Sequence, residues 1–125
     1  MLAIVVDDSH AMRMILIRYL TSIGFQCAEA CDGRDALKRL KVIEKPQLAL
    51  VDWNMPELNG YELIRAIRQD HLFDDMKIMM VTTENELEQA CKALEAGANE
   101  FIMKPFTEEM IREKLELLGF EKAAA

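Results

Sequence analysis

Four separated stretches of the chain hold side chains that could do chemistry together: Asp7-Asp8-Ser9, Asp52-Trp53-Asn54-Met55-Pro56, Thr82 and Lys104. Each acidic stretch follows directly on an apolar run, Leu2 to Val6 or Leu48 to Val51, so the carboxylates stand at the ends of two candidate strands. If those strands are neighbours, three carboxylates crowd into one pocket, where mutual repulsion raises their pKa values unless a cation joins them. A hard divalent ion suits such a pocket. Mg2+ takes oxygen ligands at about 2.0–2.1 Å, needs only one or two carboxylates, and keeps positions open for a phosphoryl oxygen. Thr82 and Lys104, at the ends of two further candidate strands, supply a hydroxyl donor and a cation for the same oxygens. Taken singly, each has a plainer use: Asp7 and Asp8 can cap the next helix, and Lys104 can be a solvated surface lysine. It is the combination that points to binding of a phosphoryl group.

Positioning these residues requires strands and helices in alternation, and the apolar pattern supplies both. Strand-length runs cover Leu2 to Val6, Phe25 to Ala30, Leu48 to Asp52, Lys77 to Thr82 and Glu100 to Met103. Between them, Met12, Ile15, Leu16, Tyr19, Leu20 and Ile23 follow one helix face, as do Leu87, Ala90, Cys91 and Leu94, and both faces are expected to pack on the sheet. Weaker helical patterns run over Ala36, Leu37, Leu40, over Leu63, Ile64, Ile67, and over Met110, Ile111, Leu115, Leu118. Gly24 and Gly97 fall where helices end, and Thr107 where one begins. Strands joined through helices run parallel with right-handed crossovers, so the expected fold is α/β: a doubly wound five-stranded parallel sheet with five helices in three layers. Ligands of such folds gather at the carboxyl ends of the strands. With no linker or repeat interrupting the pattern, residues 1–125 read as a single domain, with 119–125 as a short C-terminal tail.

Composition narrows the partners. Hydrophobic residues make up 51% and charged residues 30% of the chain, an ordinary globular balance. A net charge of -7 repels polyanions, so neither direct nucleic-acid binding nor attraction to anionic lipid is expected, and the short apolar runs argue against membrane insertion. Apolar runs are far shorter than the ~18 residues of a span, and Met1 leads straight into a strand-like run, so the expected location is cytoplasmic. Cys27, Cys31 and Cys91 have neither zinc nor disulfide spacing and read as small hydrophobes in or near the core. His10 and His71 lack a second ligand at metal spacing; Met79, Met80 and Met103 read as core filler, and Met55 as an exposed contact residue.

The stretches Val-Val-Asp-Asp-Ser, Val-Asp-Trp-Asn-Met-Pro-Glu-Leu-Asn-Gly, Val-Thr-Thr-Glu and Lys-Pro-Phe resemble the motifs of response-regulator receiver domains, and the order and spacing fit from Leu2 to Leu118. The stand-alone CheY-like type is the nearest in character. The resemblance implies a flavodoxin-like strand order 2-1-3-4-5 and a two-component signalling function, possible in chemotaxis among other pathways. It implies Asp52 as the phosphoacceptor, and Mg2+, with Mn2+ as an alternative, held by Asp7, Asp8, Asp52 and the main-chain carbonyl of Asn54. Lys104 contacts the phosphoryl group, Thr82 moves toward it in the active state, and Phe101 takes the aromatic switch position, where tyrosine is commoner. Asn54 and Glu84 match positions that tune dephosphorylation, and the Lys104–Pro105 bond is usually cis. The implied partners are a sensor histidine kinase or phosphotransfer protein, and a protein target reached through the fourth helix, fifth strand and fifth helix of a monomer. Such a protein is not an enzyme beyond catalysing its own phosphorylation and dephosphorylation.

Other classes fit less well. A haloacid-dehalogenase-like phosphatase needs a second Asp where Asn54 stands, and a flavin-binding relative would place its phosphate against Asp7-Asp8. A phosphorylation-independent interaction module, or a phosphorelay intermediate, is the alternative on the same fold, although none of the acidic, hydroxyl or lysine groups is lost.

Overall fold

The computed structural model of the chain describes residues 1–83 and 87–120. The elements, in order, are β1 (Leu2–Val6), α1 (His10–Ile23), β2 (Gln26–Ala30), α2 (Gly33–Leu40), β3 (Leu48–Asp52), α3 (Gly60–Arg68), a 3-10 turn (His71–Phe73), β4 (Lys77–Thr82), α4 (Leu87–Ala96), β5 (Glu100–Met103) and α5 (Glu108–Leu117). The strands form one parallel sheet in the order β2-β1-β3-β4-β5. This is the flavodoxin-like arrangement, and the expected elements are all present; β2 begins one residue later than Phe25, and the 3-10 turn was not anticipated.

Strand alternation sorts the core into two layers. Ile4, Val6, Ala49, Val51, Ile78 and Met80 face one side, where Ala36 and Leu40 of α2, Leu63, Ile64 and Ile67 of α3, and Ala93 of α4 cover them. Ala3, Val5, Leu48, Leu50, Met79, Val81 and Ile102 face the other, under Leu16, Leu20 and Ile23 of α1 and Ile111 and Leu115 of α5. Burying each large side chain contributes roughly 1.5–3 kcal/mol, against ~1 for a helix cap, so docking on the sheet dominates over the local signals. The caps still set where helices begin. Ser9, not Asp7 or Asp8, caps α1, accepting from the Met12 N–H at 3.2 Å. Thr107 accepts from Met110 N–H at the start of α5, and Asn59 and Glu62 form a reciprocal capping box on α3.

Two helix faces depart from expectation. In α1, Ile15 is exposed while Leu16 and Leu20 are buried. In α4, Ala90 and Ala93 are buried, leaving Cys91 and Leu94 exposed, because two alanines three residues apart let the helix lie close to its neighbours and turn its larger side chains outward. Cys31 is likewise exposed and Cys27 half-buried, so the cysteines are not core residues as a group. Met103 is half-buried, whereas Met79 and Met80 fill the core.

Candidate functional site

Register brings the chemical groups together. Val6 pairs with Val51, so Asp7 and Asp52, one residue further on, emerge side by side at the carboxyl edge of the sheet. Thr82 pairs with Met103, which puts Lys104 next to it, and the Lys104 N–H donates to the Thr82 carbonyl at 2.7 Å. Carboxylate oxygens of Asp7, Asp8 and Asp52 all lie within 4.8 Å of one another, with Asp7 and Asp52 buried and Asp8 exposed. Lys104 Nζ lies 3.3 Å from Asp52 Oδ1, and the Lys104–Pro105 peptide is cis.

The pocket is electrostatically unfinished. Burial and then the neighbouring Asp7 push the Asp52 carboxyl up to about 6, with Lys104 pulling the other way. Burial also raises Asp7, although the Ser9 N–H donates to Asp7 Oδ1 at 2.8 Å. The other oxygen, Asp7 Oδ2, is buried without a hydrogen-bond partner among the described residues. A buried carboxylate oxygen left so is costly, and Lys104, even with the Arg13 guanidinium beside Asp7, does not offset three carboxylates. Oxygen donors, like charge and an unpartnered buried oxygen together fit a hard divalent cation such as Mg2+.

The remaining residues of interest are placed as follows. Thr82 is fully buried, and its Oγ1 donates to the Thr83 carbonyl at 3.1 Å. Asn54 is exposed, two residues past Asp52. Phe101 is half-buried on β5, with Lys114 Nζ 5.6 Å above its ring and 3.3 Å from Glu100 Oε1. Glu84 lies outside the described residues. Met55, expected to be exposed, is buried: after β3 the chain curls back so that the Gly60 N–H donates to the Trp53 carbonyl, drawing Met55 into the core. Gly60 is required by this return, since a Cβ there would lie 2.7 Å from the Asp52 carbonyl oxygen. Trp53 packs beside Tyr61, with ring centroids 6.1 Å apart.

Sequence reasoning missed Arg13, which reaches from α1 to the Asp7 carbonyl and to Glu29. The available signal was a cation beside the apolar stripe of α1, between Met12 and Leu16, where only a paired charge can be half-buried; Arg18 flanks the same stripe but is exposed.

Three carboxylates, a buried hydroxyl and a lysine thus come together at the carboxyl edge of a parallel α/β sheet. A family model for the response regulator receiver domain matches residues 3–116, and the chain belongs to that family: it is a two-component response regulator, a signalling switch rather than a turnover enzyme. It is 40% identical over 116 residues to chemotaxis protein CheY1 of Helicobacter pylori strain J99, covering 92% of this chain and 94% of that protein. It is 44% identical over 114 residues to a chemotaxis protein CheY homolog of Campylobacter jejuni, covering 90% and 88%. Among solved structures, the chemotaxis response regulator CheY4 of Vibrio cholerae superposes with a TM-score of 0.86 at 29% identity, over 94% of this chain and 97% of that one. No helix among the described residues is long and apolar enough to cross a membrane.

Proposed function

We propose that Asp52 is the phosphoacceptor of this response regulator and that Asp7, Asp8, Asp52 and the Asn54 carbonyl hold Mg2+, or Mn2+, beside it. The observation that carries the reading is the buried, unpartnered Asp7 Oδ2 next to a carboxyl group that itself touches Lys104. A cation held there by these residues would supply positive charge against the phosphoryl oxygens and the carboxylates. Asp52, ionised, attacks the phosphorus of a phosphohistidine on a sensor kinase or phosphotransfer protein, or of a small phosphodonor. The new bond joins a carboxylate oxygen to phosphorus as the phosphorus–nitrogen bond of phosphohistidine breaks and its electron pair returns to the imidazole, or, with acetyl phosphate, as the phosphorus–oxygen bond breaks and acetate leaves. Lys104, already in contact with Asp52, neutralises charge spread over the phosphoryl oxygens, so the chain contributes positioning and electrostatics more than proton transfer. Water later cleaves the acyl phosphate, with Asn54 and Glu84 tuning its access.

For output, the Thr82 hydroxyl exchanges the Thr83 carbonyl for a phosphoryl oxygen. That exchange favours the active conformer because only that state makes the contact. Phe101 and the surface of α4, β5 and α5 pass the change to a protein target. Residues 1–125 act as one receiver domain with a short tail from 119 to 125, working as a cytoplasmic monomer, and the names of its relatives favour a chemotaxis pathway. Trp53 offers the test. Its emission should respond saturably to Mg2+ and again to acetyl phosphate or beryllofluoride, and Asp52→Asn should abolish the second response. A phosphodonor response that survives Asp52→Asn would remove Asp52 as the acceptor, and absence of both responses in the wild-type chain, with no phosphate incorporated by intact mass, would leave a phosphorylation-independent module.

A further inference from the structure

Arg13 is tied to three groups at once. Its Nε donates to Glu29 Oε1 at 2.8 Å, its Nη1 donates to the Asp7 carbonyl at 2.8 Å, and its Nη2 lies 3.4 Å from His10 Nδ1. Its side chain is only 13% exposed, against 41% for Glu29. An ion pair with so exposed a carboxylate is worth little in itself, which leaves geometry as the reason for the arrangement. The Asp7 N–H makes the last bond out of the β1 edge, to Ala30 O at 3.2 Å. Beyond that point the chain leaves the sheet, and the Asp7 carbonyl has no strand to pair with. That carbonyl belongs to the peptide joining Asp7 to Asp8, so holding it fixes the direction in which both carboxylates leave the backbone. The rigid fork of a guanidinium can hold this carbonyl while anchored on Glu29; a lysine ammonium cannot hold both with the same orientation.

We propose that Arg13 is a positioning residue for the acidic pocket, in which Glu29 on β2 orients its guanidinium and the guanidinium orients the Asp7–Asp8 peptide for divalent cation binding. This rests on the cation reading of the site given above. Removing partners of this kind behind metal ligands typically weakens affinity ten- to a hundredfold.

The sign of the effect separates positioning from simple charge. A nearby cation repels Mg2+, so an electrostatic role alone makes Arg13→Met bind Mg2+ more tightly and leaves Arg13→Lys unchanged. Positioning makes both variants bind more weakly, by about tenfold, and makes the losses from Arg13→Lys and Glu29→Leu less than additive. Arg68→Lys, an arginine bonded to carbonyls at the opposite end of the sheet, is the control for lost stability: it should lower the unfolding midpoint without changing the affinity. The dissociation constant of Mg2+ is read from Trp53 emission, and from calorimetry as a check, well below the unfolding midpoint of every variant. Unchanged affinity in Arg13→Lys, or tighter binding by Arg13→Met, overturns the proposal for Arg13 while the cation reading stands. Failure of the wild-type chain to bind Mg2+ overturns both.

Discussion

The two ends of the sheet are built on opposite terms. At the amino ends of the strands the polar groups are matched. Gln47 Oε1 accepts from the Leu2 N–H, and Asn99 Oδ1 accepts from the Ile78 N–H and from Arg68. Arg68 also donates to the carbonyls of Gly97, Phe73 and Met76 at 2.7–3.0 Å, stitching the end of α3 to the segments that lead into β4 and β5. At the carboxyl ends, three carboxylates share one pocket with Lys104, and the buried Asp7 Oδ2 goes unpartnered among the described residues. The chain also adopts a left-handed backbone at Glu57, φ 62°, in the loop after Asp52. One end holds the fold; the other leaves interactions unsatisfied, as the proposed binding of a cation and a phosphoryl group requires.

The comparison breaks most visibly at Arg68. Arg68→Ala strands several carbonyls that the guanidinium satisfies and should lower stability by about 3 kcal/mol, measured by urea unfolding. Mg2+ affinity below the unfolding transition should not change. If instead affinity falls with stability, the two ends are not separable in the way described.

Asp52 should behave in the opposite sense. Its carboxyl is held at about 6 in the fold against an ordinary 3.8, so the folded chain binds this proton more tightly than the unfolded one. The contribution to stability is present in full below about 3.8 and is lost as the pH rises through about 6. Without divalent cation, Asp52→Asn should therefore raise stability at pH 7 by on the order of 2 kcal/mol, and the gain should vanish near pH 4. Saturating Mg2+ should shrink it by stabilising the wild-type chain more than the variant. A destabilised Asp52→Asn at neutral pH would contradict the picture of a strained pocket.

The smallest effect belongs to Glu57. Glu57→Gly relieves a left-handed conformation worth ~1–2 kcal/mol, partly offset by the added freedom of glycine in the unfolded chain, so a gain of about 0.5 kcal/mol is expected. Its partner in an ion pair, Arg34, is mostly exposed and adds little.

The same contrast explains what could be read from the sequence. Strand-length apolar runs and the acidic residues that end them gave the elements and the pocket, because both signals are local. The strand order came only through the motif resemblance, since periodicity does not say which strands are neighbours. Arg68 went unrecognised because three of its four acceptors are main-chain carbonyls, and Arg13 because its link to the pocket is the Asp7 carbonyl; any residue carries such a group and no pattern marks it. Met55 was misplaced because the return of the chain at Gly60 depends on a backbone approach, and the face of α4 was right at Ala90 but wrong at Leu94, because the buried Ala93 is a weaker signal than a leucine. Thr82 and Lys104 were legible as types at strand ends, yet the hydroxyl's present bond to Thr83 is a tertiary detail beyond any spacing rule.

The most direct test of the central claim is intact mass after incubation with acetyl phosphate, with Mg2+ and with a chelator, for the wild-type chain and Asp52→Asn. The account predicts one phosphoryl group on the wild-type chain, dependent on Mg2+ and absent from the variant. Incorporation that survives Asp52→Asn, or none in a wild-type chain shown to bind Mg2+, would contradict it.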